Sequence, residues 1–424
     1  MQPPVQTQAT RRHTPWLPFV LVTSLFLMWG LANNMTDTLL SAFKRILSIS
    51  DTNTSWIQFV FYGAYFLLAL PGALLIRRFT YRTGILLGLG LFIAGSLLFY
   101  PASQTMVYGH FLAALFILAA GLSLLETAAN PYIVAMGPPE TGTQRLNLAQ
   151  SFNPVGSIIG VELSRRFILS RLNQASAEER ATLTPEALQS MQADELTGVM
   201  GPYVGVAAVL LLIWLAIALV RMPKASENEQ IELLPQLRRL WSRANWRWSV
   251  LAQFFYVGAQ IGVWSFTIRL VMRELNVMEE EAASYYSYSL YAFLGARFVF
   301  TALMRVIKPH QLLGILAIVA TGLTLLVVSS SGLLAVWALV AISACMSLMF
   351  PTIFGLGLAG LGEDTKLGGA GLIMAILGGA VFPPLMGVVS DSSGSIQLAY
   401  VLPMACFALV AFYALVIVPR FARW

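Results

Sequence analysis

Long apolar runs decide what this chain can fold into. Residues 206–220 contain no charged, amide or hydroxyl side chain, and comparable runs recur along the sequence. A helix that crosses lipid needs about 20 mostly apolar residues. In lipid, every backbone amide must be satisfied within its own helix or in a closed barrel. A barrel would show short alternating segments, so unbroken runs mean helices. Charged residues make up 11% of the chain and hydrophobic residues 57%, whereas a soluble domain carries about 25% charged residues. That balance excludes a soluble enzyme, a nucleic-acid-binding domain and a disordered chain as readings of the whole. The expected fold is all-α and polytopic.

Counting apolar windows gives twelve spans, near residues 17–43, 54–76, 83–101, 107–135, 145–169, 199–221, 248–272, 283–305, 311–329, 333–359, 369–389 and 397–419. The fifth is interrupted by Asn147, Gln150, Asn153 and Glu162. Two polar stretches separate spans. Residues 171–198 contain Thr184-Pro185-Glu186-Ala187-Leu188, which reads as a short capped helix. Residues 222–247 read as a hinge loop between a first bundle, 16–221, and a second, 248–424, with a polar tail at 1–15. The first apolar stretch is too long for a signal-peptide core and is expected to be retained.

With the start of the chain inside, 17 of the 26 Lys and Arg residues fall on cytoplasmic segments and 8 outside, with Arg297 inside a span. The excess of basic residues on one side places both termini in the cytoplasm. The net charge of +6 reflects that bias rather than a nucleic-acid partner. Cys345 and Cys406 sit in apolar runs and read as small core residues. His13, His110 and His310 lie too far apart for a metal site, and no Ser/His/Asp set is visible.

A faint repeat links the two halves. The segment 26–33, Phe-Leu-Met-Trp-Gly-Leu-Ala-Asn, aligns with 253–260, Gln-Phe-Phe-Tyr-Val-Gly-Ala-Gln. Each lies in the first span of its half. With the six-and-six division, this suggests two similar bundles with a substrate between them near the membrane midplane.

Ionisable groups inside a span cost at least about 2.5–3.5 kcal/mol each and should face a cavity or a partner. The candidates are Asp37, Glu126, Arg145, Glu162 and Arg297. Asp37 falls in the outer part of the first span, and a carboxyl poised between water and apolar protein suits proton coupling; it could instead cap a helix outside the bilayer. Glu126 follows residues 107–125, which lack Asp, Glu, Lys and Arg; it could instead pair with an Arg at the end of a span. Gln150 and Asn153 share a helix face. Amides there either bond a neighbouring helix or line a wet site for a polyhydroxyl ligand, because each offers donors and an acceptor. The corresponding span of the second half, 371–387, has no such stripe. Polar function is therefore expected mainly in the first half, with apolar walls from the second. Trp29, Trp56, Tyr62, Tyr256 and Trp264 are belt or core aromatics that could also stack on a sugar. Arg297 has no acid within four residues and is expected to pair across helices or to face the cavity.

Several motifs carry a family resemblance. They are Asn33-Asn34 with Asp37-Thr38-Leu39-Leu40, Leu125-Glu126-Thr127-Ala128-Ala129-Asn130-Pro131, Arg145-Leu146-Asn147-Leu148-Ala149-Gln150-Ser151-Phe152-Asn153, and the segment 250–260. Pro351-Thr352-Ile353-Phe354, Asp364-Thr365-Lys366 and Gly387-Val388-Val389-Ser390-Asp391 add to it. Together they resemble the bacterial L-fucose permease family, fucose/galactose/glucose:proton symporters of the major facilitator superfamily, over residues 25–415. The resemblance implies twelve transmembrane helices in two six-helix bundles, alternating access, and import of a small neutral sugar across the inner membrane. It implies that Asp37 and Glu126 carry the proton. It implies sugar contacts from Glu126, Gln150 and Asn153; Trp29, Asn33, Gln58, Asn130 and Gln260 are further candidate contacts. The expected coupling ion is the proton, with no cofactor, and a monomer in the lipid bilayer with no nucleic-acid partner is expected. The chain departs from the family pattern at Thr36-Asp37-Thr38, where the family has Asn-Asp-Pro, and at Met349-Phe350, where it has Gln-Tyr. It also lacks the superfamily's Asp between spans two and three. A less polar wall suits a deoxy sugar or a pentose as well as a fucose-like hexose. An uncoupled facilitator, an exporter or a transporter-like sensor are the alternatives.

Overall fold

The structure is a computed structural model that describes residues 14–46, 51–168, 173, 179–180, 182–220 and 233–421, without the side chains at 33, 36–45, 51–56, 58, 165, 197–200 and 279–280. Residues 1–13 of the expected tail and 222–232, the first part of the expected hinge, lie outside the described residues. Every regular element among the described residues is a helix.

The first half contains α1 (Trp16–Ile46), α2 (Asp51–Arg78), α3 (Tyr81–Thr105), α4 (Tyr108–Ala135), α5 (Gly142–Gln150 and Phe152–Phe167) and α6 (Pro185–Leu219). The second contains α7 (Ala244–Leu275), α8 (Glu279–Leu303), α9 (Pro309–Ser329) and α10 (Gly332–Met346 and Met349–Leu358). It ends with α11 (Thr365–Met374, then Gly378–Ser393) and α12 (Ile396–Ala399, Val401–Phe412 and Val418–Phe421). Among the described residues, nine helical stretches are long and apolar enough to cross a membrane. The remaining spans are α1, whose described apolar part is Trp16–Ala32, and the more polar α5 and α8. Large apolar side chains such as Leu212, Val299 and Ile318 stay exposed on the outside, as lipid-facing residues should.

The halves repeat one packing scheme. In the first, α1 packs on α5 and α6, α3 on α4 and α6, and α2 on α4. Six helices later, α7 packs on α11 and α12, α9 on α10 and α12, and α8 on α10. The sequence repeat marks the same register. A Cβ on Gly156 of α5 would collide with the carbonyl oxygen of Leu27, and a Cβ on Gly378 of α11 with that of Phe254. Leu27 and Phe254 are aligned positions in the repeat, so both crossings need a residue without a side chain at the same place.

Two elements differ from expectation. Thr184 does cap a helix, its hydroxyl accepting from Ala187 N at 3.3 Å. That helix is not short: it continues through Pro202 to Leu219 as one 35-residue α6, because α3 packs along its apolar part. Glu162 is half exposed and has a partner on its own helix. It pairs with Arg166 one turn on at 3.2 Å, with 47% of the Glu162 side chain exposed.

Prolines break two spans at matching depth. Pro154 follows the break at Ser151 in α5, and Pro351 follows the break at Ser347-Leu348 in α10. Each proline lacks the N–H that the carbonyl four residues earlier would accept. The carbonyls of Gln150 and Ser347 therefore have no helical donor.

Candidate functional site

α2 and α4 pack tightly in the middle of the first half. The contact is close because α4 is rich in small residues, and Gly72 of α2 lies against Leu124. That packing buries Glu126 to 2% exposure. The Tyr65 hydroxyl of α2 lies against the Glu126 carboxylate, with Trp29 of α1 beside the same hydroxyl. Ser123 holds the backbone of Tyr65 through its carbonyl at 3.2 Å. Phe61 fixes the ring at 5.3 Å. Oε2 of Glu126 is buried and has no hydrogen-bond partner among the described residues. No Arg or Lys pairs with Glu126 among the described residues, so the alternative of a span-end ion pair does not hold. The free oxygen can take a proton or accept a hydroxyl.

One turn along α4, Asn130 is fully buried and accepts from Gln150 Nε2 of α5 at 2.8 Å. Its own Nδ2 is buried without a partner among the described residues. The Gln150 amide thus bonds a neighbouring helix, the first of the two options its position allowed, while the pair keeps an open donor. A buried donor without a partner costs about 1–3 kcal/mol, which a ligand oxygen would recover. Asn153, Trp29 and Gln260 are only partly buried. The side chains of Asn33, Asp37 and Gln58 lie outside the described residues, on α1 and α2.

Arg145 and Arg297 take structural partners. Arg145 binds the carbonyls of Pro138 and Val134 at 2.8 and 2.6 Å, and Thr141 Oγ1 at 2.6 Å, closing the turn between α4 and α5. Arg297 binds the carbonyls of Gln150 and Ser347. Tyr256 and Trp264 are tied to α10, through Met346 O at 2.9 Å and Ser343 Oγ at 3.2 Å. Tyr62 stands against Gly379 of α11. Trp56 lies outside the described side chains.

The sequence reasoning missed Tyr65 and Gln253. Tyr65 stands one turn after Tyr62 and would have been found by asking which hydroxyl can reach a buried acid. Gln253 opens the second repeat segment and is fully buried, with both amide atoms unpartnered among the described residues. Around it the second half is aromatic: Phe254 and Phe255 meet Phe382 edge-on at 5.8 and 5.6 Å, and Phe350 stacks on Phe354 at 6.3 Å.

The halves meet at one end. Asn147 of α5 bonds Thr352 of α10 at 3.1 Å, and Thr143 packs against Gly355. Lys366 at the start of α11 reaches Ile76 O near the end of α2 at 3.3 Å and lies over the Tyr81 ring. Thr14, just before α1, lies beside Gly137 at the same end.

Residues 21–376 match the model of the Major Facilitator Superfamily. The chain is 39% identical to an L-fucose-proton symporter of Haemophilus influenzae, over 94% of this chain and 95% of that one. It is 34% identical to a glucose/galactose transporter of Brucella abortus, over 97% of each chain. It superposes on the crystal structure of the transporter FucP in the outward conformation with a TM-score of 0.90, at 39% identity, covering 94% of this chain and 98% of that chain. An all-helical chain with this paired six-helix packing and these relatives belongs to the major facilitator superfamily, in the family of the L-fucose-proton symporters.

Proposed function

We propose that the chain imports a small neutral sugar together with protons, by alternating access between its two bundles. It moves its substrate rather than transforming it. The observation that carries this reading is the buried Glu126 with one free carboxylate oxygen, one turn from the open Asn130–Gln150 amide pair. A proton acceptor and a hydroxyl reader then occupy neighbouring turns of the same helix. The L-fucose-proton symporter that this chain resembles supports both the sugar and the proton.

Glu126 takes the proton, and Tyr65 orients its carboxyl. Asn130 and Gln150 read sugar hydroxyls, with Trp29, Asn33, Gln58, Asn153 and Gln260 completing the contact. Asp37, in the outer part of α1, loads the proton. The aromatic second half covers the apolar face of the sugar, which favours an L-fucose-like hexose, another deoxy sugar or a pentose. The chain sits in the bacterial inner membrane as a monomer with both termini in the cytoplasm. The bundles 16–221 and 248–424 rock about the hinge 222–247. On this orientation the closed end is cytoplasmic and the structure faces outward.

The test is the external pH of lightly buffered, de-energised cells that express the protein, with sugars added one at a time. Alkalinisation with one sugar establishes symport and names the substrate. No response to fucose, galactose, arabinose, glucose or deoxyribose, alongside counterflow of one of them in liposomes, would leave an uncoupled facilitator in place of a symporter.

A further inference from the structure

Arg297 lies in the last third of α8 and is 4% exposed. No carboxylate pairs with it among the described residues. Its Nη1 donates to the carbonyl of Gln150 at 2.9 Å, and its Nε donates to the carbonyl of Ser347. The Phe293 ring lies 4.7 Å from the guanidinium carbon. Both carbonyls are the ones that prolines leave without a helical donor, Gln150 by Pro154 and Ser347 by Pro351. One belongs to each bundle. A guanidinium presents five donors in a rigid plane and stays charged, so it can hold two carbonyls at a fixed angle.

We propose that Arg297 is a latch between the bundles, holding them closed at the end that carries the chain termini. It is a positioning residue for the transport cycle, and this role rests on the transport reading above. The Ser347 bond lies within the second bundle and survives any rigid rocking. The Gln150 bond crosses between bundles and must break when α5 and α8 part. An interaction present in one state only is what shifts a two-state equilibrium. Neighbouring contacts across the seam are replaceable. Asn147 also bonds Thr143 O at 2.9 Å, and Thr352 bonds Leu348 O at 2.6 Å, each within its own helix. Gln150 O has no such fallback, because Pro154 removed it. The side chain of the same Gln150 holds Asn130. A ligand that draws on that amide therefore acts on the residue whose carbonyl is latched.

The experiment places spin labels at Glu140→Cys and Arg305→Cys, on opposite sides of the seam, and reads their separation in lipid nanodiscs without sugar. Both native cysteines are buried. The parent should give a short distance. Arg297→Met should raise the widened population about tenfold, the size of losing one charge-assisted hydrogen bond. Arg297→Lys should fall between them. Adding Pro154→Ala and Pro351→Ala gives each carbonyl its own helical donor and recovers any lost folded yield. It does not restore the bond across the seam, so the widened population should persist. Unchanged distances in Arg297→Met, or a return to the short distance in the triple variant, would overturn the latch. These distances need no substrate. Absence of sugar counterflow in the parent would count against the transport reading alone.

Discussion

The two bundles share a frame and differ in chemistry. In both, the first helix crosses the fifth at a glycine that touches the backbone of the aligned residue, Leu27 or Phe254. Inside that frame the first bundle holds Glu126, Tyr65, Asn130 and Gln150, with hydrogen-bonding capacity left open. The second holds a buried amide, Gln253, among rings, Phe254, Phe255, Phe350, Phe354 and Phe382. The frame needs only small residues at crossings and apolar residues elsewhere, so it tolerates either content. Function in such a protein is set by the side chains each half places inside the frame, not by the fold the halves share.

The shared frame is the easiest part to break. Gly156→Ala and Gly378→Ala each drive a methyl group into a carbonyl oxygen, and each should cost about 3 kcal/mol or more. Melting curves and the yield of monodisperse protein in detergent would show it. Gly90→Ala, with open space around it, should be silent. A large cost at one crossing and none at the other would mean that the bundles do not share a register.

Next in size is the connection that only the first half elaborates. Arg180 binds Glu195 through two contacts, 2.5 and 2.9 Å, with both side chains buried. The Glu195 carboxylate pushes the Arg180 guanidinium above its ordinary range, chiefly by hydrogen bonding. It also accepts from Asn173 N at 2.7 Å, pinning the segment before α6. The second half makes the matching turn at Gly394, where φ is 66°. Glu195→Gln should lower stability by about 2–3 kcal/mol, read as a lower melting temperature, and leave sugar exchange kinetics unchanged.

Smaller effects separate the two chemistries. Gln150→Ala should raise KM for sugar exchange about tenfold, the loss of one to two hydrogen bonds. Met349→Gln with Phe350→Tyr, in the second half, should instead reorder preference among sugars with proton coupling intact. Smallest is Gln253→Met. It removes an amide with no partner among the described residues, so it should stabilise the protein by about 1 kcal/mol. A lower melting temperature would show that the amide has a partner in the membrane.

Much of this was legible in the sequence, for physical reasons. Lipid forces long apolar helices, so the spans and the bundle pairing follow from counting. Glu126 is visible because a carboxyl after 19 uncharged residues, 107–125, has nowhere cheap to go. The segment 26–33 could be matched to 253–260 because glycine crossings restrict what surrounds them. The pairings were not legible. Arg297 was expected to find a partner across helices, but its partners are backbone carbonyls, which leave no mark beyond Pro154 and Pro351. Arg145 stands beside the amide stripe in sequence, yet it folds back on Pro138, Thr141 and Val134. Glu162 looked intramembrane because its neighbours are apolar, but its helix turns it outward to Arg166. Residue type locates a polar group along a helix, whereas its azimuth is set by packing.

The central claim is that the first bundle carries the proton through Glu126. Its most direct test is uptake of the identified sugar into proteoliposomes by Glu126→Gln, with and without an imposed proton gradient, beside the parent. The account predicts that the variant exchanges sugar across the membrane at a rate that no longer changes with pH, and never accumulates it above equilibrium. Accumulation by Glu126→Gln to the level of the parent would contradict it.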